Sequence, residues 1–587
     1  MNNPKPPAKG WTDYRAVWRW HFYAGLFTLP FVVVLSISGA IYLFKPQIEG
    51  WIDAPYDRQV GSGAAQSASA QVQAALAKLP GATFISYEVP LENTAARVLV
   101  RHDGEAIRVY VDPQSLAVLH TVPDGDRFMR QIFRLHGELW MGDRGSNLVE
   151  LAASWTIIMI LTGLYLWWPR NARGWGGILY PRLWGGSRLF WRDLHAVTGI
   201  WISTFALLLL ISGLPWAKFW RGYFKSVRQL TGTAVARQDW STGSDRGSRG
   251  ESGEHSGHSG RRSGGRPAAS GGPPIDLAPL DRVLAAVQPL GLAHPVVIAP
   301  PGRGSSDWTA KSMLANRPLR ENLVIDGQTA EVKSRDGFWE KHPLDRIVAV
   351  GIAAHEGQLF GWPNQLLGLL TALGLVLISV SGAILWWRRR DAGVLGAPQV
   401  LLSPRVSLGL IALVVLLGLY LPLFGASLVL VLLVEWLVLR RIPAVRDWLG
   451  LGAAAPRSAE LATAALLIMS IVGCGPRPVA GGTPGTLRAA GELLSEVQIT
   501  VHQATDGVWQ PAGFAVTRSD GSFALVTNGA KGALELSPGE YRCTLESAGA
   551  PVQIPPAYTK PETTPLTVAW PTASASLDLE VTVKLLK

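Results

Sequence analysis

The sequence predicts an α-helical membrane bundle built as duplicated two-helix halves, with α+β modules outside it and an all-β sandwich at its C-terminal end. Three observations predict this. Of 587 residues, 48% are hydrophobic and only 17% charged, and several apolar runs reach the roughly 20 residues that cross a hydrocarbon core. Basic clusters flank those runs at alternate ends, as the positive-inside rule requires. Two histidine patterns each occur twice. His21 leads to Gly25 and Ser38-Gly39, and His195 leads at the same offsets to Gly199 and Ser212-Gly213. His136 leads to Thr162-Gly163 and Trp167-Trp168, and His355 leads at the same offsets to Ser381-Gly382 and Trp386-Trp387.

Residues 1–44 read as the N-terminus and first span, with Lys5, Lys9, Arg15 and Arg19 holding the start inside. The apolar run is long and no small-residue cleavage site follows, which argues against a removed signal peptide. Residues 45–135 read as a folded outer module. A helix is expected over 71–79, then strands around 83–87, 97–100 and 107–111, where apolar and polar residues alternate. The second span falls within 136–168. A basic loop, 169–196, follows on the inside with Arg170, Arg173, Arg182, Arg188 and Arg192, and the third span is 197–216.

Residues 217–350 form a second outer segment. Its Gly/Ser/Arg-rich stretch 240–273, with His255 and His258, reads as a disordered linker, and 276–345 reads as a weaker copy of the first module. The fourth span lies in 351–390 and ends in Arg388-Arg389-Arg390. The apolar stretch within 401–440 is too long for one helix. Pro422 and Gly425 near its middle predict a tight helical hairpin, and Glu435 reads either as a functional ionisable group at membrane depth or as a carboxylate that snorkels to the interface near Arg440. Residues 459–474 end Ile471-Val472-Gly473-Cys474, which reads as a lipoprotein-type signal or a short seventh span. Four core spans plus about three extra ones result. Residues 480–587 carry short strands between glycine turns and read as the β-sandwich. Its DG-F and PGEY patterns resemble carboxypeptidase-regulatory-like modules.

Composition narrows the chemistry. The two cysteines, Cys474 and Cys543, form no CxxC pair, which excludes thiolate zinc sites, iron–sulfur centres and a disulfide framework. The net charge of +11 lies beside apolar runs, so it is membrane anchoring rather than a nucleic-acid surface. No glycine-rich dinucleotide fingerprint follows a strand. Any transition metal must therefore use imidazole. The alternating topology puts His21 and His195 at the inner face, and His136 and His355 at the outer face. Each face receives one histidine from each half, as two bis-imidazole metal or haem sites require. His136 stands well before its span and needs its own interfacial helix, about 127–137. Gly25 and Gly199, one turn beyond their histidines, leave room for a porphyrin edge, and Gly137 and Gly357 follow the other pair. Arg19 and Arg192 are placed to meet haem propionates. His102, His120, His294, His342 and His502 have no repeated pattern and read as structural or solvated. The Ser-Gly and Thr-Gly pairs read as close helix-packing points.

Four stretches in order carry a resemblance: WRWHFYAGLFTLPFVVVLSISGAIYLF, LHGELWMGDRGSNLVELAASWTIIMILTGLYLWWPR, WRDLHAVTGIWISTFALLLLISGLPW and HEGQLFGWPNQLLGLLTALGLVLISVSGAILWWRRR. Over roughly 11–391 the chain resembles the PepSY-associated transmembrane (PepSY_TM) family, and its outer modules resemble PepSY domains. The family includes haem-containing siderophore reductases of the bacterial inner membrane. The resemblance implies two haem b groups on His21, His195, His136 and His355. It implies an oxidoreductase that reduces a ferric siderophore or other iron chelate in the periplasm, with electrons from a separate flavoprotein or the quinol pool. The rival expectation is a membrane-tethered PepSY protease inhibitor or sensor without redox activity. The C-terminal domain is expected in the periplasm and the N-terminus in the cytoplasm. Residues 392–587 lie outside the resemblance.

Overall fold

The computed structural model describes residues 14–61, 63–169, 174–184, 186–230, 276–302, 305–398, 407–451 and, with short gaps, 482–585. It divides into two compact units, Met1–Ile471 and Val472–Lys587. The expected linker at 240–273 and the lipoprotein-like run at 459–474 lie outside the described residues.

In the first unit, helix α1 (Tyr14–Leu43) runs almost directly into α2 (Lys45–Asp57), and α3 (Ala68–Lys78) follows. Ser67 caps α3 by accepting from the Ala70 N–H at 3.2 Å. Strands β1 (Thr83–Glu88), β2 (Ala96–His102), β3 (Glu105–Val111) and β4 (Val118–Pro123) come next, then α4 (Phe128–Glu138) and α5 (Asp143–Trp167). Helix α6 (Ser187–Gly213) leads through a short turn to α7 (Lys218–Leu230). Helix α8 (Ala278–Val287) precedes β5 (Val296–Ala299), β6 (Asp307–Ser312), β7 (Asn322–Asp326) and β8 (Val332–Asp336). Then follow α9 (Pro343–His355), α10 (Trp362–Arg389), α11 (Leu408–Tyr420), α12 (Pro422–Val434) and α13 (Pro443–Leu449).

Among the described residues five helices are long and apolar enough to cross a membrane: Tyr14–Leu43, Asp143–Trp167, Ser187–Trp216, Trp362–Arg389 and Pro422–Leu439. The chain is a multi-pass membrane protein. The expected hairpin exists as a sharp turn at Leu421, where a Cβ on Gly425 would lie 2.9 Å from the Gly418 carbonyl. Its first arm, α11, has 13 residues, about 20 Å of helix, which is less than a full span. Glu435 pairs with Arg440, Nε to Oε1 at 2.8 Å. Small residues let the spans approach: a Cβ on Gly374 of α10 would meet Ile202 of α6 at 2.7 Å.

The two modules expected between the spans are not separate. Their strands form one eight-stranded antiparallel sheet in the order β4-β3-β2-β1-β5-β6-β7-β8. Two four-stranded meanders meet edge to edge, with Tyr87 opposite Ile298 and Glu88 opposite Val297. One face buries Val98, Val100, Val109, Trp308, Leu323 and Ile325 against Val72 of α3 and Leu280 of α8. Each such side chain contributes about 1.5–3 kcal/mol. The strands not expected from sequence include β4 and β8, the two sheet edges. Their residues are at most half-buried, so they show no two-residue apolar rhythm.

Ion pairs tie the sheet to the bundle. Arg97 of β2 reaches Asp53 and Asp57 of α2 at 3.2 Å each. Arg127, beside α4, reaches Glu49 of α2 at 2.8 Å. On the other half, the buried Arg228 of α7 grips Asp345 of α9 through two contacts of 2.7 and 3.2 Å.

The C-terminal unit is all-β. Strand Pro484–Ala489 lies between Glu492–Leu493 and Ser522–Ala524 and also pairs in parallel with Leu577–Val581. A second sheet has Val526–Thr527, Val508–Val516, Val497–Thr505, Gly539–Ser547 and Thr567–Trp570 in that order. Their core holds Leu487, Ile499, Phe523, Tyr541, Cys543 and Leu579.

Breaking the buried pair with Arg228→Met should cost about 3–5 kcal/mol in unfolding of the detergent-solubilised protein, and adding Asp345→Leu should recover most of it. Burial pushes the Cys543 thiol up to about 12. In a Cys474→Ser background, native protein should therefore resist maleimide at about pH 8 and react once denatured.

Candidate functional site

The four histidines are held by one repeated arrangement. His21 of α1 points its Nδ1 at the Met159 carbonyl of α5, 2.9 Å away, and at the Thr162 hydroxyl, 3.1 Å. His195 of α6 does the same to α10, with the Ile378 carbonyl at 3.0 Å and the Ser381 hydroxyl at 3.2 Å. His355 of α9 meets α6, with the Leu209 carbonyl at 2.8 Å and the Ser212 hydroxyl at 3.1 Å. His136 of α4 meets α1, where the Leu35 carbonyl and the Ser38 hydroxyl receive it, the latter at 3.0 Å. In every case the carbonyl belongs to the residue three before the Ser or Thr. A carbonyl only accepts, so Nδ1 carries the proton and Nε2 keeps a lone pair.

The glycine after each hydroxyl residue completes the seat. A Cβ on Gly163 would stand 3.1 Å from Cε1 of His21, and on Gly382 3.2 Å from that of His195. The values are 3.0 Å for Gly39 against His136 and 3.2 Å for Gly213 against His355. These dipeptides seat imidazole rings, rather than only letting helices touch.

The seats bring the histidines together two by two. His21 and His195 have ring centres 6.4 Å apart with planes at 82°. His136 and His355 have centres 6.3 Å apart at 71°. Both pairs are set edge to face. A metal–imidazole bond of about 2.0 Å on each side of one metal puts two opposed rings about 6 Å apart, centre to centre. Among the described residues no group of three or more His, Cys, Asp or Glu is placed to hold a metal ion. Each pair thus brings two imidazoles to a spacing that would suit a metal whose other ligands come with it, as in a porphyrin. Eighteen residues separate His21 from Gly39 and His195 from Gly213, about 27 Å of helix. The pairs sit near opposite ends of the bundle.

The surroundings of the pairs differ in detail from the sequence reading. A Cβ on Gly199 or Gly137 would meet nothing within 4 Å, and one on Gly25 only the Met159 sulfur at 3.7 Å, so space is open there. Gly357 is different. Its φ of +73° and the Leu43 side chain 2.8 Å from a Cβ make it a turn and packing glycine, not porphyrin room. Arg19 donates to the Pro398 and Gly450 carbonyls at 2.8 Å each. Arg192 pairs with buried Asp193 at 2.7 Å. The unpatterned histidines have plain roles: His120 stacks on Tyr56, ring centres 4.4 Å apart, and the His342 ring accepts from the Leu344 N–H at the start of α9.

A cavity of about 330 Å³ lies beside His136 and His355, walled by Phe31, Val149, Ala153, Leu209 and Leu375, with Glu138, Glu150, Lys218 and Arg221 among its polar groups. That is the size of a small ligand pocket. Burial raises the Glu138 carboxyl above the ordinary glutamate range. Trp216 packs edge-on against His355 at 5.5 Å, and Arg317 from the sheet segment reaches Glu356 at 3.5 Å beneath it. Sequence reasoning missed Glu150. Its signal was an isolated acid inside an apolar span.

The sequence matches the family described as the PepSY-associated TM region over residues 18–389. The chain belongs to this family. No curated protein matches the chain.

Gly163→Ala, which presses on the His21 ring, should lower unfolding stability by about 1–3 kcal/mol. Gly199→Ala, whose methyl would meet no protein atom within 4 Å, should be neutral or stabilising by up to about 1 kcal/mol in the same thermal assay on ligand-free protein.

Proposed function

We propose that this protein is a di-haem electron carrier of a bacterial inner membrane that reduces ferric chelates on the periplasmic side. In this reading α1, α4 and α5 form one copy and α6, α9 and α10 the other, with a PepSY-like module between the spans of each. His21 and His195 hold one haem b near the cytoplasmic face, and His136 and His355 hold another near the periplasmic face. The observation that carries the reading is the fourfold seat. Each imidazole is locked in one tautomer with Nε2 free, and the rings are spaced for a single metal between them. A haem held by two neutral imidazoles exchanges single electrons and leaves the iron no open position.

The protein's own residues supply orientation and exclusion. The carbonyl and hydroxyl of each seat prevent ring rotation, and the apolar helix faces keep water from the pairs. No acid–base machinery is needed, because ferrous iron is held more weakly than ferric by hard oxygen donors. The electron donor is a separate flavoprotein or a membrane quinol. The N-terminus is cytoplasmic and the C-terminal β domain periplasmic.

Detergent-purified protein should show a Soret band and a reduced α-band of b type. His21→Ala and His355→Ala should each remove about half of the pigment, and the double variant all of it. A colourless, well-folded wild-type preparation would overturn the proposal and leave the PepSY modules as a membrane-tethered inhibitor or sensor.

A further inference from the structure

One wall of the cavity beside His136 and His355 is not used by the two-imidazole seat. Glu150 stands about two turns into α5 and is only 2% exposed. Its Oε2 accepts from the Phe219 and Trp220 backbone N–H groups, 3.1 Å each, at the start of α7. Among the described residues no Lys, Arg or His forms an ion pair with it. Lys218 pairs with Asp143 instead. Capping a helix start needs an oxygen acceptor, not a net charge. An ionisable group at membrane depth without an ion-pair partner of its own is costly and marks function, and the cations that share this cavity wall, Lys218 and Arg221, make no ion pair with Glu150 among the described residues.

We infer that Glu150 supplies the negative countercharge for a cationic metal centre between His136 and His355. The inference rests on the reading of that pair as haem ligands. Two neutral imidazoles bring no charge, and a porphyrin dianion leaves ferric iron one net positive charge and ferrous iron none. A carboxylate on the wall of the same cavity therefore favours the oxidised form. Glu150 is a positioning and tuning residue: it holds α7 over the cavity and sets the potential of that centre.

The test is a potentiometric titration of the purified full-length protein followed by absorbance. His355→Ala identifies which optical component belongs to this pair. Glu150→Gln keeps an oxygen for the Phe219 and Trp220 N–H groups but removes the charge. At fixed potential its oxidised-to-reduced ratio for this component should fall about tenfold, a rise in midpoint of about 59 mV for one electron. The His21–His195 component should move much less. Glu150→Asp should stay near wild type. Ser146→Asp, which adds a further carboxylate to a lining that already holds Glu138, Asp143, Glu150 and Glu356, should shift the midpoint the opposite way and serves if the Gln variant fails to assemble. Midpoints unmoved in Glu150→Gln, or in Ser146→Asp where that variant stands in, would overturn the inference while the haem reading stands. A wild-type protein without pigment would remove both.

Discussion

The bundle depends on a shared hydrogen bond: an imidazole N–H on one helix given jointly to a backbone carbonyl and a hydroxyl on its neighbour. Inside an apolar helix pair an unmet N–H costs several kcal/mol. A helix carbonyl has a second lone pair to offer, but a side chain reaches it only where the helix surface is bare. Gly39, Gly163, Gly213 and Gly382 provide that bareness. Ser38, Thr162, Ser212 and Ser381 turn their hydroxyl hydrogens back to their own helices, so each oxygen faces the ring as an acceptor. The same bond that fastens two helices therefore fixes which ring nitrogen looks inward.

The extramembrane parts reinforce this geometry from one end. Helix α2 follows one residue after α1, whose Ser38 and Gly39 seat His136, and is held to the sheet through Arg97. Helix α9, which carries His355, is held to α7 by Arg228 and to the sheet segment through Arg317 and Glu356. Both histidines of that pair sit on short helices outside the spans. Their position is set by the sheet as much as by the bundle. His21 and His195 sit on the spans themselves and need no such support.

Much of this was legible in the sequence because it lies in repeated offsets. The histidines, the following glycines and the four core spans repeat with equal spacing, and their pairing follows from alternating topology. The reading of the small-residue pairs as helix contacts went only halfway, since spacing along one chain does not reveal which side chain from another helix fills the notch. Arg19 and Arg192 were singled out by proximity in sequence. In the fold their guanidinium groups face the Pro398 and Gly450 carbonyls and Asp193, partners no linear pattern announces. Glu150 was passed over because one acid in an apolar run barely changes its hydropathy. The joining of the modules into one sheet was also hidden: β1 and β5 carry ordinary strand patterns, and nothing in either names its neighbour.

That joint has a consequence for biosynthesis. Strand β1 is finished 208 residues before β5 begins, which at about 5–20 residues per second is roughly 10–40 s of translation. During that interval the nascent first meander presents an unpaired backbone edge at Tyr87 and Glu88, the kind of template on which other chains add strands. Two further spans must be inserted before its rightful neighbour emerges. The chain's vulnerability to misassembly is therefore concentrated in this waiting period, and a cell that makes it in quantity needs something to shield one strand edge until the second half arrives.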